Sequence, residues 1–66
     1  MFRITNCHGE DFTVKTIEEA AQYVTDNQKE FDWIDVEYNG KTFSFDDGGI
    51  QYSYKDNFRD IEALTK

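Results

Sequence analysis

The segment from Trp33 to Phe45 constrains the fold most, because its pattern is that of a β-hairpin. Apolar and polar residues alternate over 33–38 and again over 41–45, and Asn39-Gly40 separates the two runs. This dipeptide favours a type I′ turn, since both of its residues tolerate positive φ. A two-residue turn predicts three cross-strand pairs: Tyr38 with Lys41, Val36 with Phe43, and Ile34 with Phe45. These side chains share one face, so the hairpin has an apolar face and a polar face.

The residues after this hairpin predict a third strand. Asp46-Asp47-Gly48-Gly49 can form a tight turn, and apolar and polar residues alternate over Ile50–Tyr54. A turn at Asp47-Gly48 and a turn at Gly48-Gly49 shift the pairing by two residues relative to each other. The apolar face is therefore the same in both cases, and the alternation leaves both registers open. We expect a three-stranded meander.

The N-terminal residues predict a second hairpin. Alternation over 2–5 and over 12–15 indicates two strands, and the polar residues between them include Gly9. If the strands pair, Ile4 and Val14 must share a face. That condition requires a loop with an odd number of residues rather than a two-residue turn.

Thr16 and Glu19 predict the start of a helix, because this spacing of a hydroxyl and a carboxylate forms a capping box. An apolar stripe follows at helical spacing, and the predicted helix covers 17–28. The stripe consists of Ile17, Ala20, Ala21 and Val24.

A second, short helix is predicted at the C-terminus, with Asp56 or Asn57 as its N-cap. Phe58, Ile61 and Leu64 recur at helical spacing and form a ridge that must dock on the sheet, since so short a helix is not stable alone.

These elements predict one α+β domain over residues 1–66 in the order ββαβββα. A chain of 66 residues is too short for two domains. We expect a small antiparallel sheet, made of the N-terminal hairpin and the meander. The central helix packs on this sheet, and the short C-terminal helix follows.

Charge and cysteine content restrict the partners and the compartment. Fourteen acidic side chains outnumber seven basic ones, giving a net charge of −7. Such a charge repels nucleic acids and anionic membranes and attracts basic protein surfaces. A single cysteine, Cys7, excludes an internal disulfide. The N-terminus also lacks the apolar stretch of a signal peptide, so we expect a cytoplasmic protein. From the charge, we expect no direct binding to nucleic acid and none to a membrane.

The sequence offers few residues for catalysis or for metal binding. Cys7 and His8 are adjacent, so on a strand their side chains point to opposite faces, and zinc needs three or four such ligands. One match to the spacing of a calcium-binding EF-hand loop occurs, formed by Asp35, Glu37, Asn39, Gly40 and Asp46. The same segment alternates as a hairpin and lacks the flanking helices of an EF-hand. We therefore expect no metal, no cofactor and no enzymatic activity.

The polar face of the predicted meander is the candidate binding site. Asp35 and Glu37 lie about 7 Å apart on one side of a strand. Trp33 and Asp46 belong to the same face, and an aromatic residue among carboxylates is a typical anchor for a basic partner. Glu18 and Glu19 on the central helix extend the acidic surface. The alternative is that the C-terminal helix or a neighbouring loop covers Trp33 and that these acidic groups are simply solvated.

In its size, acidity, lack of catalytic motifs and α+β layout, the chain resembles small inhibitor proteins of phages and mobile elements, including anti-CRISPR proteins and DNA mimics. The resemblance is one of type, and no diagnostic residue carries it. It implies an inhibitor that covers a basic, nucleic-acid-handling surface on a larger protein such as a CRISPR effector, in the host cytoplasm. The alternative is a structural module that forms a homodimer through exposed strand edges, which no proline protects.

Overall fold

The computed structural model describes residues 1–46 and 52–66 and has two layers, a sheet and a pair of helices. The sheet strands are β1 (Phe2–Asn6), β2 (Asp11–Val14), β3 (Ile34–Tyr38) and β4 (Lys41–Phe45). The helices are α1 (Ile17–Asn27) and α2 (Tyr54–Glu62), and a 3₁₀ turn covers Ala63–Thr65. Within the described residues, the sheet is antiparallel with the strand order β2-β1-β3-β4. The predicted α+β class is confirmed.

The predicted β3–β4 hairpin is present with its predicted register. All three expected cross-strand pairs form: Tyr38 with Lys41, Val36 with Phe43, and Ile34 with Phe45. The turn residues Asn39 and Gly40 have φ angles of 53° and 84°, the left-handed conformation that a type I′ turn requires. Turn chemistry and alternation therefore act together at this hairpin.

The N-terminal hairpin also forms as predicted. Ile4 pairs with Phe12 and Phe2 pairs with Val14, so Ile4 and Val14 share a face. Five residues lie between Thr5 and Asp11, the last paired residues, which satisfies the odd count.

The buried side chain of Asn6 organises the loop between β1 and β2. Its Oδ1 accepts hydrogen bonds from the backbone N–H groups of His8, at 3.0 Å, and Glu10, at 3.3 Å. Its Nδ2 donates to the Glu10 carboxylate at 2.9 Å and to the Tyr23 hydroxyl at 2.8 Å. The loop is thereby tied to α1.

The central helix follows the prediction closely. Thr16 is its N-cap, and the Thr16 hydroxyl accepts a hydrogen bond from the Glu19 N–H at 3.1 Å. The Glu19 carboxylate in turn accepts from the Thr16 hydroxyl at 3.2 Å and from the Lys15 N–H at 3.3 Å. Because these groups close the first turn, the helix begins at the residue that the capping box indicated.

The predicted third strand of the meander is wrong at its C-terminal end. Tyr52 and Ser53 lie outside any strand, and Tyr54 is the first residue of α2. The predicted turn and the residues Ile50 and Gln51 lie outside the described part of the chain. The physical reason is a helix cap, because the Ser53 hydroxyl accepts a hydrogen bond from the Asp56 N–H at 3.1 Å.

The same cap corrects the predicted start of the C-terminal helix. Ser53, rather than Asp56 or Asn57, is the N-cap, and α2 begins earlier than expected. Asp56 lies in the first turn, where its charge suits the positive end of the helix dipole. Asn57 is fully buried against α1.

The core lies between the helices and one face of the sheet. Both helices contribute to it, through Ala20, Ala21 and Val24 on α1 and Ile61 on α2, with Leu64 in the 3₁₀ turn. The sheet contributes Phe2, Ile4, Ile34 and Val36. In the part of the chain that the structure describes, no helix is both long and apolar enough to cross a membrane.

Candidate functional site

The outer face of the sheet is the face opposite the core. Because side chains alternate along a strand and Ile4, Ile34 and Val36 are buried, the residues between them point outward. The outer face therefore consists of Arg3 and Thr5 on β1, Asp11 and Thr13 on β2, Asp35 and Glu37 on β3, and Thr42 and Ser44 on β4. In the described ranges, both helices pack on the other face.

Four of the six predicted site residues belong to this outer face or to its end. Asp35 and Glu37 are half-buried on β3, where they lie opposite Thr5 and Arg3 of β1. Trp33 directly precedes β3 and is 37% exposed. Since Ile34 pairs with Phe45, Trp33 and the exposed Asp46 flank the same end of the β3–β4 hairpin.

A backbone contact fixes Trp33 at the end of the sheet. The N–H of Cys7 donates a hydrogen bond to the Trp33 carbonyl at 3.3 Å. Because Thr5 pairs with Asp35, Cys7 (two residues after Thr5) falls opposite Trp33 (two residues before Asp35). The bond therefore extends the pairing of β1 with β3 by one further step. Trp33 therefore occupies a defined backbone position next to Asp35 and is not part of a loose loop.

Arg3 lies among the acidic residues of the outer face, and its pairing with them was not predicted from the sequence. Its guanidinium contacts Asp11 through two atom pairs, Nε to Oδ1 at 2.9 Å and Nη2 to Oδ2 at 2.6 Å. Its Nη1 also lies 3.7 Å from the Glu37 carboxylate. The hydrogen bonds with Arg3 lower the pKa of Asp11, and those with Asp11 raise the pKa of Arg3.

Arg3 divides the acidic residues of the outer face into two groups. Asp11 and Glu37 share one positive charge, so their negative potential is partly compensated. Asp35 and Asp46, by contrast, make no ion pair or side-chain hydrogen bond with any residue that the structure describes. Of these four carboxylates, those of Asp35 and Asp46 are thus the ones available to a partner.

Glu18 and Glu19 do not join this group. Both are exposed residues of the first turn of α1, in the layer that covers the core face of the sheet. Glu19 is engaged by the Thr16 hydroxyl and the Lys15 N–H. The structure brings together Trp33, Asp35, Glu37 and Asp46 and places the two helical glutamates in the other layer.

The residues considered for catalysis or metal binding have structural contacts. The His8 ring packs on Phe31 with centroids 4.5 Å apart, and Cys7 is half-buried beside the Trp33 carbonyl. The segment that matched a calcium-loop spacing forms the β3–β4 hairpin. Across residues 1–46 and 52–66, no group of three or more His, Cys, Asp and Glu side chains is placed to hold a metal ion.

Comparison with known proteins adds no further assignment. No family model, no curated protein and no solved structure matches the chain.

Proposed function

We propose that the protein is a non-enzymatic inhibitor that binds a basic surface on a larger protein. The binding patch consists of Trp33, Asp35 and Asp46, with Glu37 at its margin. One observation carries the proposal: an exposed tryptophan flanks the end of the β3–β4 hairpin that also carries Asp35 and Asp46, two carboxylates with no counter-ion among the described residues. Tryptophan is enriched among the residues that dominate binding energy at interfaces, which distinguishes this face from one that carries only solvated charges.

The chemistry of the patch suits a partner rich in arginine or lysine. A tryptophan ring offers a large contact area at low entropic cost and can also accept a cation on its face. Asp35 and Asp46 provide the neighbouring negative charges, and the net charge of −7 accelerates the encounter with a basic protein. A surface that normally holds nucleic-acid phosphates, as in a CRISPR effector, has these properties, and the patch would occupy it in place of phosphates.

Arg3 limits where that partner can bind. Its positive charge weakens the attraction of a basic partner to the β1–β2 side of the outer face, where it contacts Asp11 and Glu37. A basic surface is therefore directed towards the β3–β4 end, which carries Trp33. This asymmetry makes Asp35 more important than Glu37 for binding.

Affinity capture followed by quantitative binding with charge-reversal variants tests the proposal. Tagged protein is first used to isolate the partner from host lysate, and the purified partner is then titrated with each variant. The Asp35→Lys/Asp46→Lys variant should lose binding by at least about tenfold, and Trp33→Ala should weaken binding by a similar factor. Affinity of the wild type should fall as salt rises.

The matched control is Asp26→Lys/Glu30→Lys, which changes the net charge equally at exposed residues of α1 and the turn after it. This control should retain affinity near that of the wild type. Equal loss in both double variants would show that only net charge matters, and unchanged affinity in Asp35→Lys/Asp46→Lys would refute the patch.

A further inference from the structure

The edge of the sheet at β2 presents unpaired backbone groups in a defined direction. Along an antiparallel strand, the N–H and C=O of successive residues point to alternate sides. The bond from Cys7 to the Trp33 carbonyl shows that the odd-numbered residues of β1 point towards β3, so Phe2 and Ile4 point towards β2. Their partners on β2, Val14 and Phe12, point back to β1.

Asp11 and Thr13 therefore direct their backbone N–H and C=O groups away from the sheet. Over the ranges 1–46 and 52–66, β2 pairs with β1 alone. The edge ends at Lys15, because the Lys15 N–H is occupied by the Glu19 carboxylate of α1. The unpaired part of this edge is short and centred on Thr13. Its backbone N–H and C=O groups can pair with one further antiparallel strand.

The side chains along this edge are complementary to themselves. Asp11 and Lys15 lie equally far from Thr13 on either side and carry opposite charges. The Asp11 carboxylate contacts Arg3 of its own chain and keeps acceptor sites for a lysine of the second copy. A two-fold axis at Thr13 places Thr13 opposite its copy and Asp11 opposite Lys15 of the other molecule. Phe12 then lies opposite Val14 of the second copy, and both residues are only half-buried in the single chain.

We propose that two copies of this chain pair antiparallel through β2, about a two-fold axis at Thr13, to form one continuous sheet across the dimer. Opposite charges placed directly across two strands stabilise their pairing, as do contacts between aromatic and β-branched side chains. The contact is isologous, so it closes as a dimer and does not propagate. It is independent of the function proposed above and leaves the Trp33 patch of each copy free, because that patch lies beyond β1 in the strand order.

The pairing is expected to be weak and reversible. A contact of one short strand buries far less than a stable interface needs, and each copy carries a charge of −7. We expect a dissociation constant between about 10 µM and 1 mM, the range of transient contacts. Sedimentation velocity over this concentration range should therefore show a shift from monomer to dimer and no larger species.

Two kinds of variant test the register. Thr13→Pro removes the outward N–H at the centre of the pairing, and proline is tolerated at a sheet edge, so the variant should fold but remain monomeric. Lys15→Glu and Asp11→Lys each place like charges opposite each other, and each should weaken self-association by at least about fivefold. Mixing the two charge variants should restore dimers. Residues 11 and 15 are both acidic in one variant and both basic in the other, so opposite charges then meet at each end of the paired strands.

Circular dichroism and melting temperature separate a lost contact from lost folding. The conservative control Thr13→Val keeps the N–H and should dimerise like the wild type. A wild type that remains monomeric throughout the concentration range would overturn the proposal. So would a dimer that persists in Thr13→Pro, or charge variants that do not recover on mixing, since either result would place the contact elsewhere.

Discussion

Replacing Asn57 with aspartate should destabilise the protein strongly at neutral pH and only weakly in acid. Asn57 is fully buried between the helices, where its Nδ2 donates to the Thr25 hydroxyl at 3.0 Å and to the side-chain Oε1 of Gln28 at 3.3 Å. Its Oδ1 has no hydrogen-bond partner. A carboxylate has the same shape but no N–H, so it loses both bonds. The Thr25 hydroxyl and the Gln28 amide cannot compensate its charge, because they already donate to the carbonyls of Ala21 and Tyr52.

The magnitude follows from the burial. An uncompensated buried charge costs about 3–5 kcal/mol, while a domain of this length has a free energy of unfolding of about 3–10 kcal/mol. Burial raises the pKa of the new carboxyl above its value in the unfolded chain, which is about 3.9. Below that pH the acid is protonated in both states and the charge penalty is absent. As pH rises, the unfolded state releases the proton first, and the penalty grows towards neutrality.

The assay is urea unfolding of the wild type and the Asn57→Asp variant between about pH 4 and pH 7.5, which spans the expected change. Asn39→Asp is the matched control, because it makes the same chemical change at an exposed turn position where aspartate tolerates positive φ. The difference between Asn57→Asp and wild type should widen with pH, whereas that of the control should stay small. A difference independent of pH, or equal to the control, would refute the buried-charge argument.

Three further predictions concern single contacts. Ser53→Ala should lower the free energy of unfolding by about 1 kcal/mol, measured by urea unfolding, because it removes the N-cap of α2; an unchanged value would mean that the cap does not stabilise the helix. Gly40→Ala should lower it by about 1–2 kcal/mol in the same measurement, since a Cβ is strained at φ 84°, and a neutral result would argue against the type I′ turn. Arg3→Gln should return the pKa of Asp11 towards 3.8, its ordinary value, when the carboxyl is titrated by NMR. Because the native pKa of Asp11 is lowered, the stabilisation linked to it is present above the ordinary pKa and is lost as pH falls through the native one; an identical titration in the variant would disprove the pairing with Arg3.

Two of the elements that were predicted correctly carry two independent local signals. In the β3–β4 hairpin, alternation and the Asn39-Gly40 turn indicate the same register, and the structure confirms it. In α1, the Thr16–Glu19 capping box and the spacing of the apolar residues agree in the same way. Such agreement is informative because each signal arises from contacts between residues close in the chain, which do not depend on the rest of the fold.

The strand predicted over Ile50–Tyr54 shows that tertiary packing can override local signals. Alternating tyrosines suit a strand, but the spacing of Ser53 and Asp56 is also that of a helix cap. In the described residues, the cap determines the structure, since it begins a helix that buries Asn57 and Ile61 against α1. Tertiary packing of α2 decides between the two readings, and no local pattern reports that packing.

The residues of the candidate site also divide into those that the sequence could place together and one that it could not. Trp33, Asp35, Glu37 and Asp46 could be placed together in advance, because one hairpin carries them all. The contribution of Arg3 could not, since Arg3 meets Glu37 only where β1 pairs with β3. That pairing joins residues far apart in the chain, and local alternation contains no information about which strands become neighbours.

The sequence alone therefore determined the two hairpins and the central helix, their apolar faces, the acidity and the position of Trp33 relative to Asp35. Only the tertiary structure decided the strand order β2-β1-β3-β4, the compensation of Asp11 and Glu37 by Arg3, and the location of Glu18 and Glu19 in the helical layer. The physical reason is range. Turns, caps and side-chain alternation depend on neighbouring residues. Strand order and ion pairs across a sheet depend instead on how residues far apart in the chain are buried together, and many different sets of contacts can achieve that burial.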